Sequence, residues 1–436
     1  MKWRQPADKN VVDAVVAMFV EPAWRLRERL AVLSARQWER SYYWLDASGM
    51  ALYLLDRVER LDLQGDLPAQ TLARLRQNRA DNRERSRWMY AEFLELNREF
   101  QQAGIDYCNL KGFTLSPDSC PDPVLRCQLD FDFLVDGKDL DTCRQLLERR
   151  GYALRGVTNT DWEFKSGTDE LADIANHYQP RRQRCVELHF ACDETTGSAP
   201  IRDERLNRLI WRRRKDIEIP VLTSVDQFIG QATHLFGHLC GACTRLAWLL
   251  EFRNHIDARA NGHQFWSELQ ERIAADKKAA LAIGVVCALA IDLFRAHIPA
   301  GLELGTTVRL PERVALWAER YGRRALLADF PGTKLNLLLR EQINVSSPHW
   351  ESERRTALLP LHRAPRIVHV EHGAGVRKRV QSEIYQLRFE MFRARFHVVE
   401  GLRYLVETVK WRRYLRSLRA KRQHPATKPL HTAAKN

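Results

Sequence analysis

Residues 128–137 read "QLDFDFLVDG", a short apolar run that contains two aspartates, Asp130 and Asp132. Its β-forming residues and the Asp-Gly pair at its end predict a strand followed by a turn. Successive side chains of a strand point to opposite faces, so Asp130 and Asp132 share one face while Phe131 and Phe133 share the other. We therefore expect the aromatic rings to anchor the strand in the core and the two carboxylates to stand together over a cleft.

A third carboxylate lies in a second predicted strand, "CVELHF" at 185–190, where Glu187 and His189 share one face. Two carboxylates held within about 7 Å along a strand repel each other, and burial without compensation would raise a pKa or destabilise the strand. A bound Mg²⁺ with oxygen ligands removes that conflict. If the two strands are neighbours, Asp130, Asp132 and Glu187 converge on one or two metals, an arrangement used for phosphoryl transfer.

The pattern around these strands predicts an α+β protein that is mainly α. Helical spacing of apolar residues fills 1–103, and short strands alternate with helix in 104–222. Helical spacing then returns in 223–375, and a long basic amphipathic helix and tail occupy 376–436. We expect 104–222 to be a catalytic α/β domain with a mixed sheet, flanked by helical regions. The predicted strands are 105–112, 128–137, 152–157, 161–167 and 182–191.

The composition is that of a globular protein, with 45% hydrophobic and 28% charged residues in a chain of 436. Extensive disorder is therefore not expected. No secretory signal pattern is visible, and the longest apolar run, 281–294, is shorter than the roughly 20 residues that a membrane-spanning helix needs. Nine scattered cysteines without framework spacing indicate free thiols. These features predict a cytoplasmic location.

The net charge of +14 is concentrated at the end of the chain. Residues 376–436 contain 16 Lys or Arg against four Glu, so the other residues are close to neutral together. Along this segment apolar or small residues recur at spacings of three and four, which predicts a helix with a heptad-like seam. The seam comprises Val380, Ile384, Leu387, Met391, Ala394, Val398, Leu402, Leu405 and Val409.

Two interpretations of this basic helix stay open. The helix could pack on its own catalytic body and leave a solvated basic face. Its Arg-rich end, 410–423, could instead attract RNA, DNA or an anionic membrane surface, in which case nucleic-acid contact would be electrostatic because no base-reading motif is present.

The stretch "HLFGHLCGAC" at 234–243 raises the question of a zinc site. His234 and His238 are four apart and share a helix face. Cys240 lies about 200° round the helix from His238, so these residues and Cys243 cannot converge without a break in the helix. The sequence does not favour zinc here.

Several short motifs in order carry a family resemblance. "LKG" at 110–112, Arg126, "DFDFLV" at 130–135, "RRGY" at 149–152 and two later motifs together resemble a bacterial family of uncharacterised nucleotidyltransferases. The later motifs are "HYQP" at 177–180 and "VELHF" at 186–190. The wider superfamily has the polymerase β type of catalytic domain, and the resemblance covers roughly residues 20 to 260.

The resemblance implies a role for each matching residue. Asp130 and Asp132 would be metal ligands, and Glu187 would be a third ligand or the base that activates the acceptor hydroxyl. Gly112 would allow close approach to the nucleotide phosphates, and Lys111 and Arg126 would offer them positive charge. His189 and His177 would contact the substrate or support the ligands.

Two positions depart from the pattern. Phe113 follows the glycine of the turn where the superfamily usually has Gly or Ser, and Glu251 stands where the narrower family often has aspartate. The first departure bears on how the phosphates are held, whereas Glu251 keeps the negative charge of the aspartate that it replaces.

Simpler interpretations of the site residues also stay open. Asp130 and Asp132 could lie on the solvent face of an edge strand or pair with Arg126 and Arg181. Glu187 could be solvated, Lys111 and Gly112 could form an ordinary turn, and His189 could be a core histidine.

The function predicted from the sequence is transfer of a nucleoside monophosphate from a nucleoside triphosphate, dependent on Mg²⁺ or Mn²⁺. The acceptor is an unidentified small molecule, protein or RNA with a hydroxyl or phosphate group, and pyrophosphate is released. One alternative is a non-catalytic module that binds a nucleotide or a protein through the same cleft. Another is a toxin-type enzyme that modifies RNA, such as a tRNA end.

Overall fold

The computed structural model describes residues 6–167, 177–180, 184–192, 200–241, 243–298, 310–344, 348–360 and 375–423, without the side chains of 419–423. The chain begins with helices that alternate with short connections. They are α1 (Lys9–Ala17), α2 (Ala23–Ala31), α3 (Ala35–Ala47), α4 (Met50–Arg60) and α5 (Ala69–Gln102).

The central region forms a seven-stranded sheet and a separate two-stranded sheet, with one helix among the strands. The strands are β1 (Tyr107–Leu110), β2 (Phe131–Val135), β3 (Tyr152–Val157), β4 (Asp161–Ser166), β5 (Arg184–His189), β6 (Ala191–Cys192), β7 (Pro200–Ile201), β8 (Leu209–Arg214) and β9 (Ile217–Leu222), with α6 (Leu140–Arg149) between β2 and β3. Helices then follow again as α7 (Ser224–Cys240), α8 (Leu246–Ala258), α9 (His263–Ala275), α10 (Lys277–Phe294), α11 (Glu312–Trp317), α12 (Arg323–Leu326), α13 (Asn336–Ile343), α14 (Trp350–Leu358) and α15 (Val376–Gln423).

Seven strands form a mixed sheet in the order β3-β4-β5-β2-β1-β9-β8, and β6 and β7 form the separate two-stranded sheet. The strand with the Asp-X-Asp motif, β2, runs antiparallel to β1 and parallel to β5. It therefore lies inside the sheet, and the interpretation of its aspartates as residues of an edge strand is wrong. The predicted class, α+β and mainly α with a mixed sheet, is confirmed.

The β8–β9 hairpin is an element that the sequence analysis did not predict. It turns at Lys215, which has a φ of 51°, and β9 joins the sheet by pairing in parallel with β1. Strand β8 lies at the edge of the sheet, and its outward positions are exposed, including Trp211 at 59%. An edge strand with one covered face does not need a continuous apolar run, so its basic sequence "LIWRRR" gave no strand signal.

Two large apolar cores and one small one, formed by Cys108, Leu134, Leu206 and Leu222, hold the helices and the sheet. Residues from the N-terminal helices, the helices after the sheet and α15, such as Trp38, Phe252 and Tyr404, pack into one large core. The sheet has a second core in which Phe93 of α5 packs against Phe133 of β2, with ring centroids 6.5 Å apart. Helix α5 thus links the two large cores. The predicted domain boundaries, which follow residues 103, 222 and 375, stay a prediction.

Helix α15 is a single helix of 48 residues, but its predicted seam is not the surface that packs on the body. Glu400 accepts a 2.7 Å hydrogen bond from Thr333, Glu407 contacts Tyr321, and the Trp411 ring lies 5.8 Å from Tyr321. These contacts bury a mixed polar and aromatic face. No described helix has both the length and the apolar character required to cross a membrane.

Candidate active site

The carboxylate cluster forms where β2 and β5 run side by side. Asp132 pairs in register with Glu187, so both side chains emerge from the same face of the sheet. His189 Nε2 lies 3.0 Å from Asp132 Oδ1 and 3.5 Å from Glu187 Oε2. One ligand atom from each of these three residues lies within 4.8 Å of the others. Strand pairing thus brings together residues that are 57 positions apart.

Asp130 lies just before β2 and is electrostatically linked to the cluster. Burial, followed by the charge of Asp132, raises the pKa of Asp130 to about 6. Burial and the charges of Asp132 and Asp130 raise the pKa of Glu187 to about 7. Asp130 is not one of the three residues with ligand atoms within 4.8 Å. Burial thus disfavours the ionised forms of Asp130 and Glu187 more than the nearby positive charges favour them.

Lys111 supplies the nearest positive charge. Its Nζ lies 2.8 Å from Asp132 Oδ1. Burial opposes ionisation of Asp132, but the charge of Lys111 and the contact with His189 outweigh burial and lower the pKa of Asp132. Lys111 has a φ of 47° and a ψ of −151°, a conformation that L-residues rarely adopt and that is often retained at functional sites. The "LKG" turn thus holds an ammonium group against the cluster.

Gly112 is required by local geometry whether or not a nucleotide binds. It has a φ of 49°, and a Cβ added there would lie 2.3 Å from Gln128 Nε2. That same Nε2 donates a 2.6 Å hydrogen bond to the backbone oxygen of Asp130. Close packing at Gly112 therefore helps to fix the backbone that carries Asp130.

We expect Gly112→Ala to lower the stability by about 1–3 kcal/mol, because it combines left-handed strain with a steric clash. Gly112→Ala/Gln128→Ala should recover part of the loss by removing the clashing amide. The change is read from the midpoint of urea unfolding. An unchanged midpoint for Gly112→Ala would contradict this description of the turn.

Arg126 is held in an internal ion pair. Its guanidinium contacts Glu251 of α8, and Glu251 accepts a 2.8 Å hydrogen bond from the Tyr53 hydroxyl of α4. The Arg126 and Glu251 side chains are 17% and 4% exposed. Glu251, the position that departs from the family pattern, is thus the partner of the motif arginine. The charge of Arg126 also lowers the pKa of Asp130, against the larger effect of burial.

Two residues of α5 that the sequence analysis did not single out hold the segment leading to Asp130. Asn82 donates to the backbone oxygens of Val124 and Arg126 at 2.7 and 3.0 Å. Arg85 donates to the backbone oxygens of Gln128 and His177 at 2.9 and 3.0 Å. They lie in the polar run "RADNRERSR" at 79–87, whose composition predicts a solvent-exposed helix face. Their burial depends on the tertiary fold.

His177 is buried and contributes to the site through its backbone. Its carbonyl oxygen accepts the hydrogen bond from Arg85, and its ring meets Tyr178 edge to face at 5.2 Å. The structure thus places His177 behind the segment before β2. Arg181, offered above as a partner for the aspartates, lies outside the described residues.

Helix α7 carries His234, a histidine that the sequence analysis considered only for zinc. The rings of His234, His238 and Trp248 lie 4.5–4.8 Å apart. Burial, and then the charges of Lys111 and His238, lower the pKa of His234 to about 2, while Asp132 acts in the opposite direction. His234 is therefore a neutral ring within electrostatic range of the cluster.

Potential metal ligands among the described side chains come together in two small groups. Among the described side chains, the groups of three or more with ligand atoms within 4.8 Å are Asp132, Glu187 and His189, and Glu163, Cys185 and Glu187. His234, His238, Cys240 and Cys243 do not form such a group.

The donor set fits a divalent cation. Asp132 and Glu187 offer carboxylate oxygens and His189 offers a ring nitrogen, all in one small region. Burial first, and then repulsion from the neighbouring carboxylates, raises the pKa of Asp130 and of Glu187. A cation would relieve that repulsion, and oxygen-rich sites suit Mg²⁺ or Mn²⁺.

A mixed sheet with an Asp-X-Asp strand beside a parallel acidic strand, flanked by helices, is consistent with a nucleotidyltransferase. The chain belongs to the family described as uncharacterised nucleotidyltransferase, whose profile matches residues 34–295. The family predicted from the motifs is thus confirmed. Membership supports nucleotidyl transfer in general and implies a nucleotide substrate.

The matched region runs from α3 to just past α10. It includes the carboxylate cluster, the Arg126–Glu251 pair and the histidines of α7, and it leaves α15 outside. No curated protein was found to match the chain.

Proposed function

We propose that the protein is a nucleotidyltransferase dependent on Mg²⁺ or Mn²⁺. It would transfer a nucleoside monophosphate from a nucleoside triphosphate to a hydroxyl or phosphate group of an acceptor and release pyrophosphate. The observation that carries this proposal is the in-register pairing of Asp132 with Glu187, with His189 beside both, within a nucleotidyltransferase family domain.

Asp130 and Asp132 would hold the cation, and Glu187 would be either a third ligand or the base that activates the acceptor hydroxyl. When bound, the cation would neutralise phosphate oxygens and lower the pKa of the attacking hydroxyl. Lys111 lies against Asp132 and could turn its ammonium group to a phosphate oxygen. His189 would orient Asp132 and contact the triphosphate.

The transfer requires a proton acceptor and a free path to the α-phosphorus. The acceptor oxygen forms a bond to the α-phosphorus, the bond to the β-phosphate oxygen breaks, and pyrophosphate leaves. In the role of base rather than ligand, Glu187 would accept the proton of the attacking hydroxyl, and its pKa of about 7 lies near neutral pH. Gly112 would let the backbone approach the phosphates, and Arg126 would add positive potential from the interior.

The proposal is tested with four nucleoside triphosphates labelled at the α-phosphate, each incubated with the protein, Mg²⁺, and host extracts separated into small-molecule, protein and RNA fractions. We expect label to move to one fraction with Mg²⁺ and not with EDTA. The fraction that gains label identifies the acceptor class.

The same experiment separates the alternatives. Mg²⁺-dependent nucleotide binding without transfer to any fraction would favour a non-catalytic binding module. Label on RNA would favour the toxin-type reaction, and deletion of 376–436 should then weaken RNA binding in a salt-dependent way. The absence of both nucleotide binding and transfer would contradict the proposal.

The pKa values of the cluster predict how Mg²⁺ affects stability at different pH. The pKa of Asp130 is raised from 3.8 to about 6, and the pKa of Glu187 is raised from 4.5 to about 7. The stability gained by protonating them is present below their ordinary values and is lost as pH rises through about 6 to 7. A cation needs the ionised forms, so we expect Mg²⁺ to raise the melting temperature more at about pH 8 than at about pH 6.

Thermal unfolding with Mg²⁺ and with EDTA at both pH values measures this effect. Asp132→Asn is the control and should show little response to Mg²⁺ at either pH. A larger response at the lower pH would be inconsistent with binding at these carboxylates.

A further inference from the structure

The edge of the sheet at β8 carries a run of positive charge beside an exposed indole. Strand β8 pairs with β9 on one side and is the last strand of the described sheet on the other. Trp211 is 59% exposed there. Four consecutive cations follow it, and we call the five residues together the basic edge. The cations are Arg212, Arg213, Arg214 and Lys215.

The cations of the basic edge lack the ion pairs that the preceding arginines have. In the described part of the chain, none of them forms an ion pair, and the three arginines donate only to backbone carbonyl oxygens. The arginines of 202–208, by contrast, are all paired with aspartates. The pairs are Arg202 with Asp106 and Asp136, Arg205 with Asp203, and Arg208 with Asp226. The lack of acidic partners is thus a local feature of the basic edge.

The nearby acids do not neutralise this charge. Asp216, which follows the turn, lies 2.8 Å from a nitrogen of Arg98. Asp118, whose charge reaches the basic edge, contacts Arg259. Glu218 faces β8 from β9, is exposed, and forms no ion pair with a described residue. Four cations therefore stand against one unpaired carboxylate, and such a surface attracts a polyanion.

The cations lie on both faces of the edge strand. Side chains alternate along a strand, so Trp211 and Arg213 share one face. Arg212 and Arg214 share the other face, and Lys215 lies in the turn. A ligand that meets all of them has to follow the edge and reach round it. A flexible single strand can do this, whereas duplex DNA is stiff over about 150 base pairs and a membrane surface is flat.

The basic edge lies beside the turn that positions Lys111. Arg212 donates a 3.3 Å hydrogen bond to the backbone oxygen of Thr114, and Arg214 donates a 3.1 Å hydrogen bond to that of Ser116. The backbone N–H of Thr114 donates in turn to the backbone oxygen of Lys111 at 2.9 Å. A guanidinium has five N–H donors, so each arginine keeps donors for a ligand. A molecule bound here would lie next to the turn that holds Lys111 against the carboxylate cluster.

Cations and an exposed aromatic ring together fit single-stranded nucleic acid. Proteins that bind single strands without sequence preference combine positive charge along the backbone with aromatic side chains on which bases stack. A guanidinium can bind a phosphate through two parallel hydrogen bonds. The bases of a duplex are stacked on one another, so the indole gains a stacking partner only from an unpaired base.

We propose that the basic edge binds single-stranded nucleic acid, with a base stacked on Trp211 and phosphates held by residues 212–215. These contacts carry no sequence readout, because they reach the phosphates and the face of a base rather than its edge. The inference goes beyond the proposed nucleotidyl transfer and does not depend on it, since binding needs neither the cation nor the nucleoside triphosphate.

Fluorescence anisotropy of labelled oligonucleotides tests the proposal with the full chain. The probes are oligouridine and oligothymidine of about 12 nucleotides, in EDTA so that no transfer takes place. We expect Trp211→Ala to raise the dissociation constant about tenfold through loss of stacking. Trp24→Ala is the matched control and should bind like the parent protein. Trp24 lies on α2, is 58% exposed, and has the guanidinium carbon of Arg25 4.9 Å from its ring centre.

The salt dependence of binding measures the phosphate contacts. The logarithm of the association constant falls with the logarithm of salt concentration by about 0.7 for each phosphate neutralised on a single strand. Arg213→Gln/Lys215→Asn removes two exposed cations, and asparagine tolerates the left-handed backbone at 215. We expect the slope to become shallower by about 1.4 between about 50 and 200 mM salt. Lys9→Asn/Arg36→Gln makes the same charge change on exposed residues of α1 and α3 and should leave the slope unchanged.

Melting temperatures check that the variants are folded, and the basic tail is present in every protein compared. The proposal is overturned if the parent protein does not bind, if Trp211→Ala binds as tightly as the parent, or if the slope of Arg213→Gln/Lys215→Asn is unchanged. Equal affinity for a duplex of the same length would overturn the assignment to single strands.

Two further comparisons define the ligand. Tighter binding of oligouridine or of oligothymidine would identify the single strand as RNA or DNA. Polyglutamate that binds as tightly as the oligonucleotides, with loss in Arg213→Gln/Lys215→Asn and no loss in Trp211→Ala, would assign the basic edge to an acidic protein and overturn the proposal.

Discussion

Asp132→Asn is expected to lower the rate of nucleotidyl transfer by about 10³-fold or more while leaving the protein folded. Asp132 is the centre of the cluster, because its carboxylate contacts Lys111 and His189 and pairs in register with Glu187. Asparagine preserves the shape of the side chain and removes the charge that a cation requires. Loss of several kcal/mol of charge stabilisation corresponds to a rate loss of this size.

The comparison requires variants that separate chemistry from folding. Asp130→Asn should also abolish transfer. Asp141→Asn, an exposed aspartate on α6, changes the same side chain without touching the cluster and should keep full activity. Melting temperatures show whether the variants are folded, and substantial transfer by both Asp130→Asn and Asp132→Asn would remove the proposed mechanism.

Arg126→Met is expected to lower the free energy of unfolding by about 3–5 kcal/mol, because it leaves Glu251 buried without its ion partner. Burial alone already raises the pKa of Glu251, and loss of Arg126 would raise this pKa further. Arg126→Met/Glu251→Gln should recover most of the loss. The amide oxygen of glutamine can still accept the Tyr53 hydroxyl hydrogen bond, and no charge remains buried.

A surface pair supplies the control for this effect. Arg98 and Asp216 lie 2.8 Å apart, but their side chains are 39% and 69% exposed. Arg98→Met should therefore cost no more than about 1 kcal/mol. Urea unfolding of the three variants measures the difference, and similar losses for Arg126→Met and Arg98→Met would show that the internal pair does not support the site.

The core of the candidate site could be predicted from the sequence because strand alternation is a local rule. It placed Phe131 and Phe133 in the core, and the structure buries both. It placed Asp132 opposite these rings and gave Glu187 and His189 a common face. The pairing of the two strands was a further assumption, and the register of β2 with β5 supports it.

Other parts of the site depend on contacts between distant segments. Nothing local distinguishes Arg85 from the neighbouring arginines of α5, yet Arg85 is buried and holds the backbone before β2. The pairing of Arg126 with Glu251 joins residues 125 positions apart. Sequence periodicity contains no information on such a pairing.

For helix α15, the sequence predicts the helix itself but not the way in which it packs. Its length and seam could be predicted from spacing alone, but the surface that packs on the body could not. That surface contains Glu400 and Glu407, whose burial is compensated by Thr333 and Tyr321 from elsewhere in the chain, and Thr408, which donates to the backbone oxygen of Tyr404 in the same helix. From local sequence alone, a polar face of this kind is predicted to be solvent-exposed and the apolar seam is predicted to be buried.

Binding of Mn²⁺ together with a non-hydrolysable nucleoside triphosphate tests the carboxylate cluster most directly, because it does not require the acceptor to be known. Electron paramagnetic resonance measures free Mn²⁺ in titrations of the parent protein, Asp130→Asn/Asp132→Asn and Asp141→Asn. We predict nucleotide-dependent Mn²⁺ binding by the parent and by Asp141→Asn, and its loss in the double variant. Equal binding by all three proteins, or no binding by the parent, would contradict a metal-dependent nucleotidyltransferase site at these carboxylates.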